Sequence, residues 1–300
     1  MDISSSEFVW SQKYRPKHIS DCILPEGLKN TFLKIVESKN LQHMLFSGTA
    51  GLGKTTVAQC LALELDCDFM MINASEENGI DVLRNKIRQY ASSVSLQGGY
   101  KIVLLDEADR LTPQVQDALK GFIEEFSSNC RFILTSNFKN KIISPLHSRT
   151  TVIEFNTTKA ELAQLSGQFL RRLKAILDNE KVTFDKKVVA DIIIKFAPDW
   201  RRVINECQKA STATGDINAS AVLSLSDSSI ASLMLFLKNK DFKSMRSWVV
   251  ENMDIDAPAI FRKVYDSLSD YAVPATIPQA VLIIADYSYK NSFVVDREIN

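Results

Sequence analysis

The chain lacks an excess of either charge, has few cysteines and carries no long apolar run. Lysine plus arginine equals aspartate plus glutamate at 36 each, so nothing global marks a nucleic-acid binder and any such contact must be a local patch. Its five cysteines, Cys22, Cys60, Cys67, Cys130 and Cys207, make no C-x-x-C pair and have no histidine cluster beside them. That argues against zinc and against a disulfide framework. No apolar stretch reaches 18 residues, and the start Met-Asp-Ile-Ser-Ser-Ser has neither a basic nor an apolar leader region. A soluble protein of the cytoplasm is expected. There is no internal repeat or low-complexity segment. With 45% hydrophobic residues in 300, the chain can fill more than one core, so two or three domains are expected.

Residues 48–56, Gly-Thr-Ala-Gly-Leu-Gly-Lys-Thr-Thr, fit G-x-x-x-x-G-K-[ST] at Gly48, Gly53, Lys54 and Thr55. The apolar run 44–46 precedes the motif, and residues 57–65 carry apolar positions at helical spacing. This is the strand, loop and helix that a phosphate cradle needs. Glycine lets the loop bend so that backbone N–H groups approach phosphates at a helix N-terminus, with Gly51 a further small residue in the turn. In such a loop Lys54 reaches the β- and γ-phosphates and Thr55 ligates Mg²⁺.

After Lys101, residues 102–105 are an apolar run ending in Asp106-Glu107-Ala108-Asp109, with Asp106 standing 52 residues after Lys54. This reads as a buried parallel strand whose C-terminal end opens on a ligand crevice. Asp106 is expected opposite Thr55 at Mg²⁺, and Glu107 beside it to polarise a water for in-line attack. Strands are also expected at 69–73, 131–136 and 151–155, and helices at 27–39, 81–91 and 113–125. Helix 81–91 bears Arg84, Lys86 and Arg88, which form either a solvated face or a phosphate contact. Val94 and Leu96 follow it in a polar loop, as a partner contact or as ordinary packing. Helix 113–125 is expected to show Gln114, Gln116 and Lys120 on its polar surface. Asn137 ends its strand either as a turn former or as a ligand of the γ-phosphate or the attacking water. Arg149 is a surface residue unless a neighbouring active site receives it. Residues 10–16 read as extended, because Pro16 disfavours helix before it.

From Thr158 strands cease and three helices follow, near 162–176, 188–196 and 201–211. Asp199 can cap the last, from whose start Arg201 or Arg202 can project toward a nucleotide. A polar stretch near 215–229 leads to four more helices with no polar constellation. The closing residues 296–300 resemble a helix start that either frays or marks a chain cut short.

Taken together, Trp10, Lys13-Tyr14-Arg15-Pro16, Gly53-Lys54-Thr55-Thr56, Asp106-Glu107-Ala108-Asp109, Asn137, Ser148-Arg149 and Pro198-Asp199-Trp200-Arg201-Arg202 resemble the AAA+ sliding-clamp-loader ATPases. That family takes in the small subunits of replication factor C and the large subunits of T-even-type phage loaders. The resemblance implies an α/β nucleotide-binding domain with a parallel sheet (1–157), a helical lid (158–222) and an all-helical collar (223–300). It implies ATP and Mg²⁺ as ligands, with Gly48, Gly51, Gly53, Lys54, Thr55 and Thr56 around the phosphates. Tyr14, Arg15, Pro16 and Ile23 would form the adenine pocket. Asn137 would be the first sensor, Arg201 the second, and Arg149 would act in the next subunit's site. Arg84, Lys86, Arg88 and Lys120 would face duplex phosphates, and Tyr90, Val94 and Leu96 the ring-shaped clamp. Implied partners are further copies, a different fifth subunit, the clamp and primer-template DNA. The implied function is an ATP-driven motor that opens the clamp and releases it on DNA. Another AAA+ DNA-remodelling ATPase and a non-hydrolysing ring subunit are the alternatives. The chain departs from the family at Gln12 (usually Glu), Thr150 (usually Cys) and Lys120-Gly121 (often two arginines).

Overall fold

A computed structural model describes residues 8–76, 80–93, 95, 99–218, 228–252, 257–291 and 293–294. The chain packs as two compact units, Met1–Asn218 and Ala219–Asn300.

The first unit is built on a parallel sheet of order β2-β3-β4-β1-β5, with β1 Met44–Ser47, β2 Asp68–Asn73, β3 Lys101–Asp106, β4 Cys130–Ser136 and β5 Thr151–Glu154. The central strands carry unbroken apolar runs, 44–46, 102–105 and 132–134, because both faces of the sheet are covered there. Met44, Phe46, Ile102, Leu104 and Ile133 enter one core, while the alternating Leu45, Val103, Leu105, Phe132 and Leu134 enter the other. The first core is closed by α2 (Glu26–Ser38) and α3 (Lys54–Glu64), with Phe32 edge-on to Phe46 at 5.4 Å. The second is closed by α4 (Ile80–Ser92) and α5 (Pro113–Glu125). Thr112 caps α5 by accepting from Val115 N, and Pro113 occupies its first turn, where no N–H is needed. The chain leaves β1 for the far edge at β2 and returns through β3 and β4. A crevice therefore opens beyond the C-terminal ends of β1, β3 and β4.

The segment 10–16 is not extended throughout. Trp10–Lys13 makes one helical turn, α1, because Pro16 restricts only its immediate neighbour and leaves the earlier residues free to coil. Trp10 is buried. The one-turn helix α6 (Ser144–His147) precedes β5.

The remainder of this unit is α7 (Lys159–Asn179), α8 (Lys186–Phe196) and α9 (Trp200–Thr214). Thr158 and Glu161 form a reciprocal capping box at α7, and Leu165, Phe169, Leu173 and Ile176 are buried along it. This region is not purely helical. β6 (Thr183–Phe184) pairs in parallel with β7 (Asp216–Ile217), a ladder too short for any periodicity to announce.

The second unit holds α10 (Ser228–Lys238), α11 (Phe242–Glu251), α12 (Ala257–Tyr271) and α13 (Ile277–Lys290). It packs around Leu233, Met234 and Trp248. Leu282, Ile283 and Tyr289 of α13 are exposed. The expected helix start at 296–300 lies outside the described residues. No helix among the described residues is long and apolar enough to cross a membrane.

Gln116 is a further correction. Instead of lying on the polar surface of α5, it is 1% exposed. Its amide donates to Leu111 O and Lys141 O, both at 3.0 Å, and accepts from Ile143 N at 2.9 Å. One side chain thus satisfies the backbone of two loops that have no ladder of their own. Replacing it with leucine strands those groups, and we expect Gln116→Leu to cost about 3 kcal/mol of stability. The check is thermal or urea unfolding, where an unchanged midpoint would show that the loops find other partners.

Candidate active site

The phosphate loop leaves β1 at Ser47 and enters α3 at Lys54. Gly51 and Gly53 have φ of 78° and 90°, the left-handed region that glycine enters without strain. A Cβ on Gly51 would lie 1.8 Å from Asp199 Oδ1 and 2.9 Å from Asp199 Cα. Only a glycine lets the start of α9 come so close. Asp199 also caps α9, accepting from Arg202 N at 3.0 Å.

Lys54 is 7% exposed. Its ammonium donates to Gly48 O at 2.6 Å, Thr49 O at 2.8 Å and Asn137 Oδ1 at 2.9 Å, so all three N–H bonds are used inside the protein. Burial pushes its pKa down to about 8; Asp106 and Asp109 oppose the fall and Arg201 adds to it.

The carboxylates are organised by a residue that the sequence reading passed over. Asp106 Oδ1 accepts from Thr55 Oγ1 at 2.8 Å and from Thr135 Oγ1 at 2.6 Å. Thr135 Oγ1 in turn accepts from Glu107 N at 3.0 Å. The Thr135 hydroxyl therefore ties β4 to both acidic residues. The signal was a threonine at the polar end of a buried strand, but a hydroxyl there is ordinary in the absence of a known neighbour. Glu107 is itself left-handed, at φ 55°, and its carboxylate meets Arg110 Nε at 3.2 Å. Asp109 Oδ1 accepts from Asn137 N at 3.3 Å. Lys54, Thr55, Asp106, Glu107, Asn137 and Arg201 line one cleft of about 420 Å³.

A second cleft of about 660 Å³ is lined by Tyr14, Arg15, Pro16, Ile23, Leu24, Thr56, Val57, Phe169, Arg172, Trp200 and Arg201, among others. Gly51, Leu52, Gly53 and Arg201 face both clefts, so the polar and apolar cavities adjoin. Phe169 and Trp200 stack with centroids 4.6 Å apart. Arg15 donates to Gln59 Oε1 at 2.8 Å, and burial followed by nearby Arg201 lowers its pKa. The sequence gives Phe169, Arg172 and Trp200 no role at this cleft, because Phe169 and Trp200 look like plain helix core and Arg172 like a residue of a solvated face.

A polar cavity at a helix N-terminus, with Lys54 and Arg201 facing Asp106 and Glu107, joined to a more apolar one, fits the triphosphate with its cation and the base of a nucleotide. A carboxylate and a hydroxyl 2.8 Å apart are hard oxygen donors of the kind Mg²⁺ takes.

Arg149 stands apart from these residues. It precedes Thr151, which pairs with Met44 at the start of β1, whereas the phosphate loop follows the other end of β1. Its guanidinium is held by Glu124 Oε1, at 2.7 Å from Nε and 2.6 Å from Nη2. On α4, Arg84, Lys86 and Arg88 are all exposed. Arg88 reaches Glu125 at 3.5 Å, and Lys120 reaches Asp117 at 3.0 Å. Tyr90 is half-buried, with its hydroxyl shielded from solvent. Val94 and Leu96 lie outside the described residues.

Residues 44–158 match the model of the ATPase family associated with various cellular activities (AAA). The chain is 37% identical to the sliding-clamp-loader large subunit of Escherichia phage RB69, over 82% of this chain and 78% of that one. It is 32% identical to the protein of the same name from Enterobacteria phage T4, over 99% and 94%. It is 40% identical to the replication factor C small subunit of Saccharolobus solfataricus, over 74% of this chain and 67% of that one. The chain thus spans about two thirds of the length of such archaeal relatives. Among solved structures, the Thermotoga maritima RuvB Holliday junction branch migration motor superposes with a TM-score of 0.57 at 20% identity, over 88% of this chain and 91% of that one. That likeness concerns the fold. The phosphate loop, the carboxylates after β3 and the near full-length match to the phage subunits lead to one conclusion: this chain is an AAA ATPase of the sliding-clamp-loader family.

Proposed function

We propose that this chain is an ATP-driven motor subunit of a sliding-clamp loader, opening a ring clamp and releasing it on primer-template DNA when ATP is hydrolysed. The observation that carries this reading is the separation within one fold of a nearly complete ATPase centre from Arg149. The arginine lies at the opposite end of the sheet, paired with Glu124 and away from its own loop, which supports a role in a neighbour's site.

Lys54 and the N-terminus of α3 bind the β- and γ-phosphates. To do so Lys54 exchanges at least one internal acceptor for a phosphate oxygen. Thr55 and Asp106 would hold Mg²⁺, which when bound neutralises charge developing on the phosphates. Glu107 orients and polarises the attacking water once its carboxylate leaves Arg110, and Asn137 moves from Lys54 toward the γ-phosphate or that water. Arg201 reaches the same phosphate from the lid. Tyr14, Arg15, Pro16 and Ile23 enclose the adenine, and Gly48, Gly51, Gly53 and Thr56 shape the cradle. Arg149 completes the next subunit's site. ATP favours a state that grips clamp and DNA, and loss of the γ-phosphate removes that preference.

The names of the relatives support a ring that engages a sliding clamp. In this reading the ring contains further copies and a different fifth subunit. Arg84, Lys86, Arg88 and Lys120 meet backbone phosphates without reading sequence, and Tyr90, Val94 and Leu96 meet the clamp. The setting is the cytoplasm, that of an infected bacterium if the chain is phage-encoded.

Steady-state ATP hydrolysis across a range of protein concentrations, with and without primed DNA, tests this function. We expect cooperative dependence on concentration and stimulation by DNA; turnover that neither variable changes would oppose it. Glu107→Gln should abolish turnover and spare ATP binding. Arg149→Ala should lower kcat by about a thousandfold, and mixing these two inactive variants should restore activity if the arginine acts between subunits.

The depressed pKa of Lys54 gives a pH test. A bound polyphosphate raises that pKa back toward its ordinary value, so near pH 9 the free lysine is largely neutral and binding takes up nearly one proton. Well below the free value of about 8 the lysine is already charged and uptake vanishes. Affinity should fall up to tenfold per pH unit above that value. Calorimetry in buffers of different ionisation enthalpy measures the uptake, and equal values at about pH 6.5 and 9 would contradict it.

A further inference from the structure

The N-terminal strap changes hands at the wall of the apolar cleft. Tyr14 is held at both ends by the lid: its hydroxyl donates to Glu180 Oε1 at 2.6 Å, and its carbonyl accepts from Arg172 Nη2 at 2.9 Å. Arg172 lies in α7 and Glu180 is its C-terminal cap. Lys13 Nζ meets the same Glu180 oxygen at 2.7 Å, and Trp10 N donates to Gln208 Oε1 of α9 at 3.0 Å. Arg172 Nη1 also donates to Asp21 O at 2.8 Å, so one guanidinium spans the strap from Tyr14 to Asp21. The very next residue belongs to the other side. Arg15 donates to Gln59 of α3 at 2.8 Å, and Pro16 O accepts from Cys60 Sγ of the same helix at 3.3 Å.

Tyr14, Arg15 and Arg172 all line the cleft assigned to the base. We propose that Glu180 and Arg172 are positioning residues that make Tyr14 a lid-borne wall of the base pocket, opposite the wall that α3 carries. A base filling the pocket then touches lid and core together and fixes the lid relative to the phosphate loop. This inference rests on the ATP reading above.

The physical reason is geometric. Arg201 stands on α9 in the same lid, and its placement over the phosphates depends on the lid's position. A fitted base restrains that position through Tyr14; a polyphosphate without a base leaves the Tyr14 wall unloaded. The bonds at Glu180 should therefore matter for nucleotides and not for inorganic triphosphate. Simple loss of fold would weaken both ligands alike.

The test is equilibrium binding of ATP, GTP and inorganic triphosphate to the full chain and to its Glu180→Ala, Glu180→Gln and Tyr14→Phe variants. Glu180→Ala should weaken ATP about tenfold, the lower end of what one lost hydrogen bond to a charged group costs. It should also shrink the preference for ATP over GTP and leave triphosphate affinity unchanged. Glu180→Gln keeps an acceptor and should recover most of the loss. Tyr14→Phe should share the Glu180→Ala defect, with the double variant no worse than the worse single one. If the wild-type chain binds ATP no more tightly than triphosphate, the ATP reading itself fails. If it prefers ATP and Glu180→Ala keeps that preference in full, or if the variant weakens triphosphate equally, this inference alone is overturned.

Discussion

The ammonium of Lys54 needs three acceptors away from water, and much of the first unit is arranged so that it has them. Two are carbonyls of its own loop and the third is the amide of Asn137 at the end of β4. A charge this buried is tolerated only when its donors are satisfied, so the loop must curl back and β4 must run beside β1. Gly48 N closes the same junction by donating to Ser136 O at 3.2 Å.

The same economy appears at Asp106. One carboxylate oxygen accepts two hydroxyls, which joins α3, β3 and β4 at a single atom and settles the backbone of Glu107 through Thr135. The start of α9 approaches the phosphate loop closely. Asp199 fits against Gly51 because that position has no side chain, and the strap lies between core and lid with bonds to both. The residues that line the two adjoining clefts thus come both from the sheet-bearing part and from helices α7 and α9.

A parallel sheet has distinct ends, and this chain uses both. The phosphate loop, Asp106 and Asn137 stand at the C-terminal ends of their strands, while Arg149 stands before the start of β5. Where such a chain assembles, a cleft at one end of the sheet and an arginine at the other could meet only through head-to-tail contacts, which close into rings or continue as helices according to the rotation at each step.

Much of this was legible in the residues because local rules govern it. The loop 48–56 is dictated by which residues accept positive φ and which carry phosphate-binding groups. The runs at 44–46, 102–105 and 132–134 read as buried strands because a sheet covered on both faces leaves no polar position between them, and the helix 113–125 was expected where α5 forms. What tertiary structure decided involves partners far apart in sequence, for which no local period exists. Gln116 is polar, and its sequence context placed it on the surface; only the fold brings Ile143 and Lys141 to it. The short turn at Trp10–Lys13 and the β6–β7 pair arise from packing against neighbours that no window of residues contains. Thr135 gains its role from Asp106, 29 residues away, and Tyr14 from Glu180, 166 residues away. The sequence by itself determined the phosphate-loop motif and the longer strands and helices, since both follow from stereochemistry and solvation of neighbouring residues. The tertiary structure alone decided which side chains share an atom, because that depends on where the chain returns.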